Sequence, residues 1–273
     1  MPDALQQLWR SVESAYTHAS HLDSVYFFAI SALVFIPLSL CFAGTRSQPP
    51  VHKGMLPDAL YWLLAPTLVY SYVTVWLFDL LLGAGLYSID GFGQITDGFV
   101  PVRFLPVLAQ AFVILLLMDL AQYWVHRLLH TGSLWKFHAI HHSAVNVDWL
   151  TSTRFHPVDT ILRSTCVYLL VAALGFSAEA WLLLVPFNAL YSPLVHANLN
   201  WTYGPFRYLL VSPVCHRWHH THADEGGNSN FAPTFPFIDI LFGTYYDPRT
   251  TRPSVFGAPS DPVSDTNILD QLL

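Results

Sequence analysis

Long stretches of this chain carry no charged side chain, and that absence restricts the fold more than any residue that is present. Between Asp23 and Arg46 the 22 positions 24–45 are all uncharged and include VYFFAISALVFIPLSLCFAG. Between Asp58 and Asp79 the 20 positions 59–78 read ALYWLLAPTLVYSYVTVWLF. A third apolar run covers 104–118 and continues past Asp119 to Val125. About 20 apolar residues in a helix cross a hydrocarbon core of about 30 Å. Pro37 and Pro66 would break soluble helices, but membrane spans tolerate them. Two further uncharged runs, 164–178 and 180–206, flank Glu179. The GFSAEA segment reads as a turn between helices at about 161–174 and 178–195, a hairpin that enters the membrane and returns, or a re-entrant pair.

The overall balance agrees. Charged residues make up 11% of the 273, against about 25% in soluble domains, too few to cover a water-facing surface. With 53% hydrophobic residues, disorder is excluded too. A net charge of −6 offers no surface for nucleic acid. Cys41, Cys166 and Cys215 form no CxxC pair and no disulfide framework. The expected fold class is an all-α integral membrane protein, a bundle of transmembrane helices. The first span lacks a basic leader and a small-residue cleavage site, so it reads as a retained anchor.

Lys and Arg set the orientation. Arg46 and Lys53 in the 45–57 loop meet no acid there, whereas Asp79, Asp90 and Asp97 outnumber Arg103 in the 79–103 loop. Arg127, Lys136, Arg154 and Arg163 follow the third span. The amino terminus is then outside, residues 126–163 are cytoplasmic, and Arg207, Arg217, Arg249 and Arg252 return to the cytoplasmic side. Multiple passes are expected, in a bacterial inner membrane first and in the endoplasmic reticulum second.

Histidine decides the chemistry. Of 14 in the chain, only His18, His21 and His52 precede residue 126. The remainder include His126-x3-His130, His138-x2-His141-His142 and His216-x2-His219-His220, with His156, His196 and His222 as singles. Spacings of three and four place side chains on one helix face, so each group can aim several imidazoles at one point. Imidazole suits Fe, Zn, Cu and Ni. Eight imidazoles exceed one coordination shell, so two metals are expected. A metal-ion transporter with a cytoplasmic histidine cluster is the alternative, but it needs ionisable residues inside the spans. A zinc hydrolase would need HExxH, which is missing. Asp119, Tyr123, His126 and His130 form one helical stripe, so Asp119 and Tyr123 are expected to support the ligands from behind. Asp239 in FIDILFG is a similar candidate.

The ordered boxes, with their context DLAQYWVHRLLH, LWKFHAIHHS, RFHP, HANLN, SPVCHRWHH and FIDILFGTYYDP, resemble the fatty acid hydroxylase / sterol desaturase superfamily of membrane di-iron oxygenases over about residues 100–250. That resemblance implies a cytoplasmic helical cap whose metal site is built by His126, His130, His138, His141, His142, His216, His219 and His220, with His196 and His156 at further ligand positions. Ser192 stands where some members carry another histidine. It also implies two Fe ions, O2 as co-substrate and hydroxylation or desaturation of a membrane lipid such as a sterol or fatty acyl chain. Electrons would come from an external NAD(P)H-linked donor, a separate ferredoxin or cytochrome with its reductase. The chain then divides into N-terminal spans and an outer loop (1–100), a catalytic domain (101–250) and a polar C-terminal tail (251–273).

Overall fold

The computed structural model describes residues 24–65, 104–258 and 263–272, plus the isolated positions Trp76, Leu80, Gly83, Ala84 and Val102. Much of the second uncharged window and nearly all of the 79–103 loop lie outside them. The described residues are helical and contain no strand; one isolated bridge pairs Ala43 with Leu199.

The charge-free windows become long helices: α1 is Ser24–Cys41. The second window opens in α2, Met55–Ala65, which starts before the window and includes Asp58. α3, Val107–Leu129, runs through Asp119 to the first histidine box. The expected hairpin is α5, Pro157–Leu174, and α6, Ala178–His196, preceded by the short α4, Trp135–His142. Gly175 turns the hairpin with φ +67°, a left-handed conformation that glycine adopts without a Cβ penalty. Ser177 then caps α6 by accepting from the Ala180 N–H. Beyond α6, Pro213–His219 forms α7, Pro236–Leu241 forms α8 and Ile268–Leu272 forms α9.

α3 is the central helix and packs on both α5 and α6. Ala111 and Ile114 of α3 meet Phe176, Ala180 and Leu184 in one buried cluster. The buried Gln110 amide of α3 accepts from the Ser177 N–H at 2.9 Å and donates to the Leu105 carbonyl at 2.9 Å, tying α3 to the hairpin turn. A second cluster joins Phe35 of α1 and Trp62 of α2 to Trp149, Leu150 and Leu199. The outer faces remain apolar and exposed: Leu33 of α1 is 77% accessible and Leu108 of α3 is 75% accessible. α1 and α3 are long and apolar enough to cross a membrane.

One buried cation ties the far ends of the chain together. Arg154, fully buried, donates to Asp58 at 2.5 Å, Asp265 at 2.8 Å, Ser143 at 3.1 Å and the Gly54 carbonyl at 3.3 Å. The pairing with Asp58 is why an acid can occupy the first turn of the apolar α2. Asp265 belongs to the polar C-terminal segment, whose Phe256 is buried against Ala144 and Val147. Removing one partner of a buried ion pair strands the other and costs about 3–5 kcal/mol. Arg154→Ala is therefore expected to lower the thermal midpoint in detergent sharply, and Arg154→Lys to recover only part of it. A midpoint unchanged by Arg154→Ala would contradict this network.

Candidate metal centre

Four helix ends converge on one buried region. α3 brings His126 and, at its C-cap, His130; α4 brings His138, His141 and His142. α6 ends on His196, and α7 supplies His216 and His219, with His220 as its C-cap. Nine imidazoles sort into two groups, His126, His130, His138, His142 and His219 in one and His141, His196, His216 and His220 in the other. Within each group one ring nitrogen per residue lies within 4.8 Å of the others. Helix periodicity explains the sorting. The i, i+4 pairs 126/130, 138/142 and 216/220 each stay together, while His141 and His219 cross to the opposite group. Both HxxHH helices thus serve both groups, which abut: the rings of His142 and His220 stack at 4.8 Å.

Proton placement makes these groups metal-ready. Nδ1–H of His126 donates to the Phe231 carbonyl at 2.8 Å, His141 to Arg154 at 3.2 Å, His196 to Ser192 at 2.7 Å and His219 to Ser229 at 2.7 Å. His138 donates Nδ1–H to the Asp159 carboxylate at 2.6 Å. Burial, reinforced by neighbouring imidazoles, holds His138, His141, His142, His216 and His220 well below the ordinary histidine range. Burial also takes His219 down to about 3. A neutral ring that spends its proton at Nδ1 presents a bare lone pair at Nε2. Yet Nε2 of His126 faces Nε2 of His138 at 3.0 Å, and Nε2 of His141 faces that of His196 at 3.3 Å. Nε2 of His130 and of His219 are buried with no hydrogen-bond partner.

Facing lone pairs in a buried site repel unless a cation lies between them. Nitrogens at about 2.1 Å from a metal sit roughly 3.0 Å apart at a right angle and roughly 3.4 Å apart in a tetrahedron. The observed 3.0 to 3.3 Å falls in that interval. Neither group contains a thiolate or a carboxylate, so the donors are imidazole only, suited to iron, zinc, copper or nickel. The residues present fit bound metal.

Residues 111–244 match the family model for fatty acid hydroxylase. This stretch is a fatty acid hydroxylase domain. Over 150 residues the chain is 32% identical to ornithine lipid hydroxylase OlsE of Rhizobium tropici, covering 55% of this chain and 45% of that protein. It is 28% identical over 131 residues to alkylglycerol monooxygenase of Xenopus tropicalis, covering 47% and 28%. It is 28% identical over 136 residues to Delta(7)-sterol 5(6)-desaturase ERG3A of Gibberella zeae, covering 50% and 37%. The chain therefore spans less than half the length of each of these three relatives. All three belong to the superfamily that the histidine boxes resemble. No solved structure gives a significant match.

Within the hydroxylase domain, the residues behind the histidines differ from the sequence expectation. Asp119 touches no imidazole. Its carboxylate accepts from the Thr234 and Phe235 N–H groups at 2.7 and 2.8 Å. Asp239 accepts from Phe231 and Ala232 N–H at 2.8 and 3.0 Å and from the Thr244 hydroxyl at 2.7 Å. Tyr123 joins that chain through Thr244 at 3.0 Å. All three brace the loop whose Phe231 carbonyl orients His126, so they act one bond further out than expected. Among the nine grouped histidines, the acid that accepts from a ring is Asp159, which also receives Arg163 at 2.5 Å. An i, i+4 acid–base pair at the threshold of an uncharged helix was its sequence signal.

His156 stands outside both groups. Its Nδ1 accepts from the Val158 N–H at 3.0 Å and so caps the start of α5. His222 is also outside them and precedes the turn Ala223–Gly227. At the Ser192 position the backbone carbonyl serves, orienting His196.

A cavity of about 330 Å³ opens between α3, α5 and α6. Leu115, Met118, Phe155 and Val195 give it apolar walls, and it reaches His126, His141, His196 and His216, members of both groups. A larger cavity, about 410 Å³, beside Phe35 and Trp149 is lined by no histidine.

Losing a hydrogen-bond partner behind a ligand usually costs about 10- to 100-fold in metal affinity. Asp159→Asn is expected to show that loss in a chelator competition, with a smaller effect from Asp119→Asn; equal affinity in Asp159→Asn and wild type would contradict the assignment. The metal-free protein is also expected to be pH-sensitive. Below about 6.5 unfolded imidazoles take up protons, while the buried ones do not, so stability falls as pH falls. Thermal midpoints should be level above pH 7 and drop progressively from pH 6.5 to 5; level midpoints throughout would contradict a buried neutral array.

Proposed function

We propose that this chain is a membrane-bound, non-haem di-iron oxidoreductase that uses O2 to hydroxylate, or less readily to desaturate, a C–H bond of a membrane lipid. The observation that carries the reading is the juxtaposition of two all-imidazole groups with an apolar cavity that reaches both. Bound iron supplies the O2-derived oxidant that no amino-acid side chain provides. His126, His130, His138, His142 and His219 would hold one ion, and His141, His196, His216 and His220 the other. The chain's own part is to present nine Nε2 or Nδ1 lone pairs without protons, to keep water out by burial and to deliver an apolar substrate along the walls of α3, α5 and α6. The relatives' names, which include a lipid hydroxylase, a monooxygenase and a sterol desaturase, are consistent with sterols or acyl lipids as the substrate class.

In this reading α1 and α3 cross the membrane, the α5–α6 hairpin enters it, and the histidine-bearing ends form a cytoplasmic cap. Support comes from the exposed apolar faces of α1 and α3, which water would disfavour, and from the arginines around the histidine boxes. The 273 residues contain no GxGxxG fingerprint and no ferredoxin cysteine pattern, so electrons are taken to come from a separate ferredoxin or cytochrome and its reductase. The transporter alternative has no support: both histidine groups are sealed at helix ends instead of being spaced along a path across the spans.

Comparing lipid extracts of cells with and without the protein should reveal a product heavier by one oxygen, labelled when growth occurs under 18O2. An unlabelled product lighter by two hydrogens would identify desaturation instead. An unchanged lipidome with iron loaded and a competent reductase present would refute the proposal. Accessibility tags near Ser143 and at the carboxyl terminus should both report the cytoplasm, and opposite faces would overturn the topology.

A further inference from the structure

The cavity that reaches the histidines has a second chemical character. Its lining includes several neutral polar side chains, among them Thr160 and Ser164 of α5 and Asn188 of α6. Thr160 is only 3% accessible and Ser164 9%. None of the three side chains makes a hydrogen bond among the described residues, and neither hydroxyl bonds back to the carbonyl four residues earlier, the usual resort of Ser and Thr in a helix. The charged groups at the same wall are already engaged, since Arg163 is held by Asp159 at 2.5 Å and by Gln122 at 3.2 Å. Polar groups left unpaired in an apolar enclosure are costly, and a few convergent ones in an apolar pocket fix a ligand's orientation.

Resting on the lipid-oxidation reading above, we propose that Thr160, Ser164 and Asn188 form a hydrogen-bonding subsite for a neutral hydroxyl or amide group of the lipid. Holding that group sets which carbon reaches the histidine groups. The chemistry matches: two hydroxyls and a carboxamide both donate and accept, and none carries charge. Their position restricts the substrate further. Thr160 follows Asp159, the acceptor of His138, and Ser164 lies one turn on. At 1.5 Å per residue Asn188 is about 12 Å along α6 from His196. The oxidised carbon therefore lies within about that distance of the polar group, in the head-proximal part of an amphiphile and not at the methyl end of a long chain.

Binding tests this without relying on turnover. The purified, iron-loaded full chain in detergent is titrated with dodecanol and with dodecane, and bound lipid is counted by native mass spectrometry. Dodecanol is expected to bind about 10-fold tighter or more, because a site built to pair a hydroxyl rejects the analogue that lacks it. Thr160→Val, Ser164→Ala and Asn188→Leu should each shrink that preference while iron content and melting temperature stay near wild type. Equal affinity for the two probes, or a preference that survives all three substitutions, would overturn the subsite. A preserved preference in a protein that forms no oxidised lipid would overturn only the oxygenase reading.

Discussion

Five Nδ1–H groups point outward to fixed acceptors, and the rest of the structure is arranged around keeping them there. Each donation decides a tautomer, and each tautomer turns a lone pair inward. Four of the acceptors are backbone carbonyls, of Phe231, Arg154, Ser192 and Ser229, and the fifth is Asp159. Backbone carbonyls cannot titrate or swing away, so the array is preset before any metal arrives. Without a cation, the result is a buried cluster of facing lone pairs. Metal binding and folding are therefore linked, as for other sites whose ligands are held together only by the fold.

Holding the acceptors still explains several buried charges that otherwise look expensive. Asp119 and Asp239 clamp the segment 231–235 from two helices, which fixes the carbonyl that orients His126. Arg154 lends its own carbonyl to His141 while its guanidinium gathers Asp58, Asp265 and Ser143. Arg217, between His216 and His219 of α7, is buried with no carboxylate partner among the described residues. It donates to the Val147 carbonyl, Thr45 and Gln48 and lies over the ring of Phe256 at 4.6 Å. Burial pulls its pKa down to about 9. That arrangement fastens α7 to the loop after α1 and to the C-terminal segment. α3 and α6 both carry histidines and wall the cavity, so the histidine groups and the cavity share one scaffold.

The helices were legible because long apolar helices leave a signal in what they lack. Charge-free windows located α1, α3, α5 and α6, and GFSAEA marked the turn that Gly175 makes. The histidines were legible because spacings of three and four have only one geometric meaning on a helix. The division of each HxxHH box between two groups was not, since it depends on how α4 and α7 face each other. Nor was the outer layer. Asp119 shares a stripe with His126, yet its carboxylate turns to backbone N–H groups on a loop 115 residues away. Asp159 sits beside His138 only because α5 folds back along α4. His156 precedes Pro157, and its role as a helix cap follows from local backbone geometry that a box pattern does not encode.

Whether the nine imidazoles hold two metal ions in adjoining, nitrogen-only sites is open to measurement. X-ray absorption at the iron edge of the purified, iron-loaded chain, with iron per chain measured on the same sample, tests it directly. Two irons per chain are expected, with a coordination sphere whose protein donors are imidazole nitrogens and any oxygen coming from solvent or O2. One iron per chain, or a shell containing sulfur, would contradict that expectation.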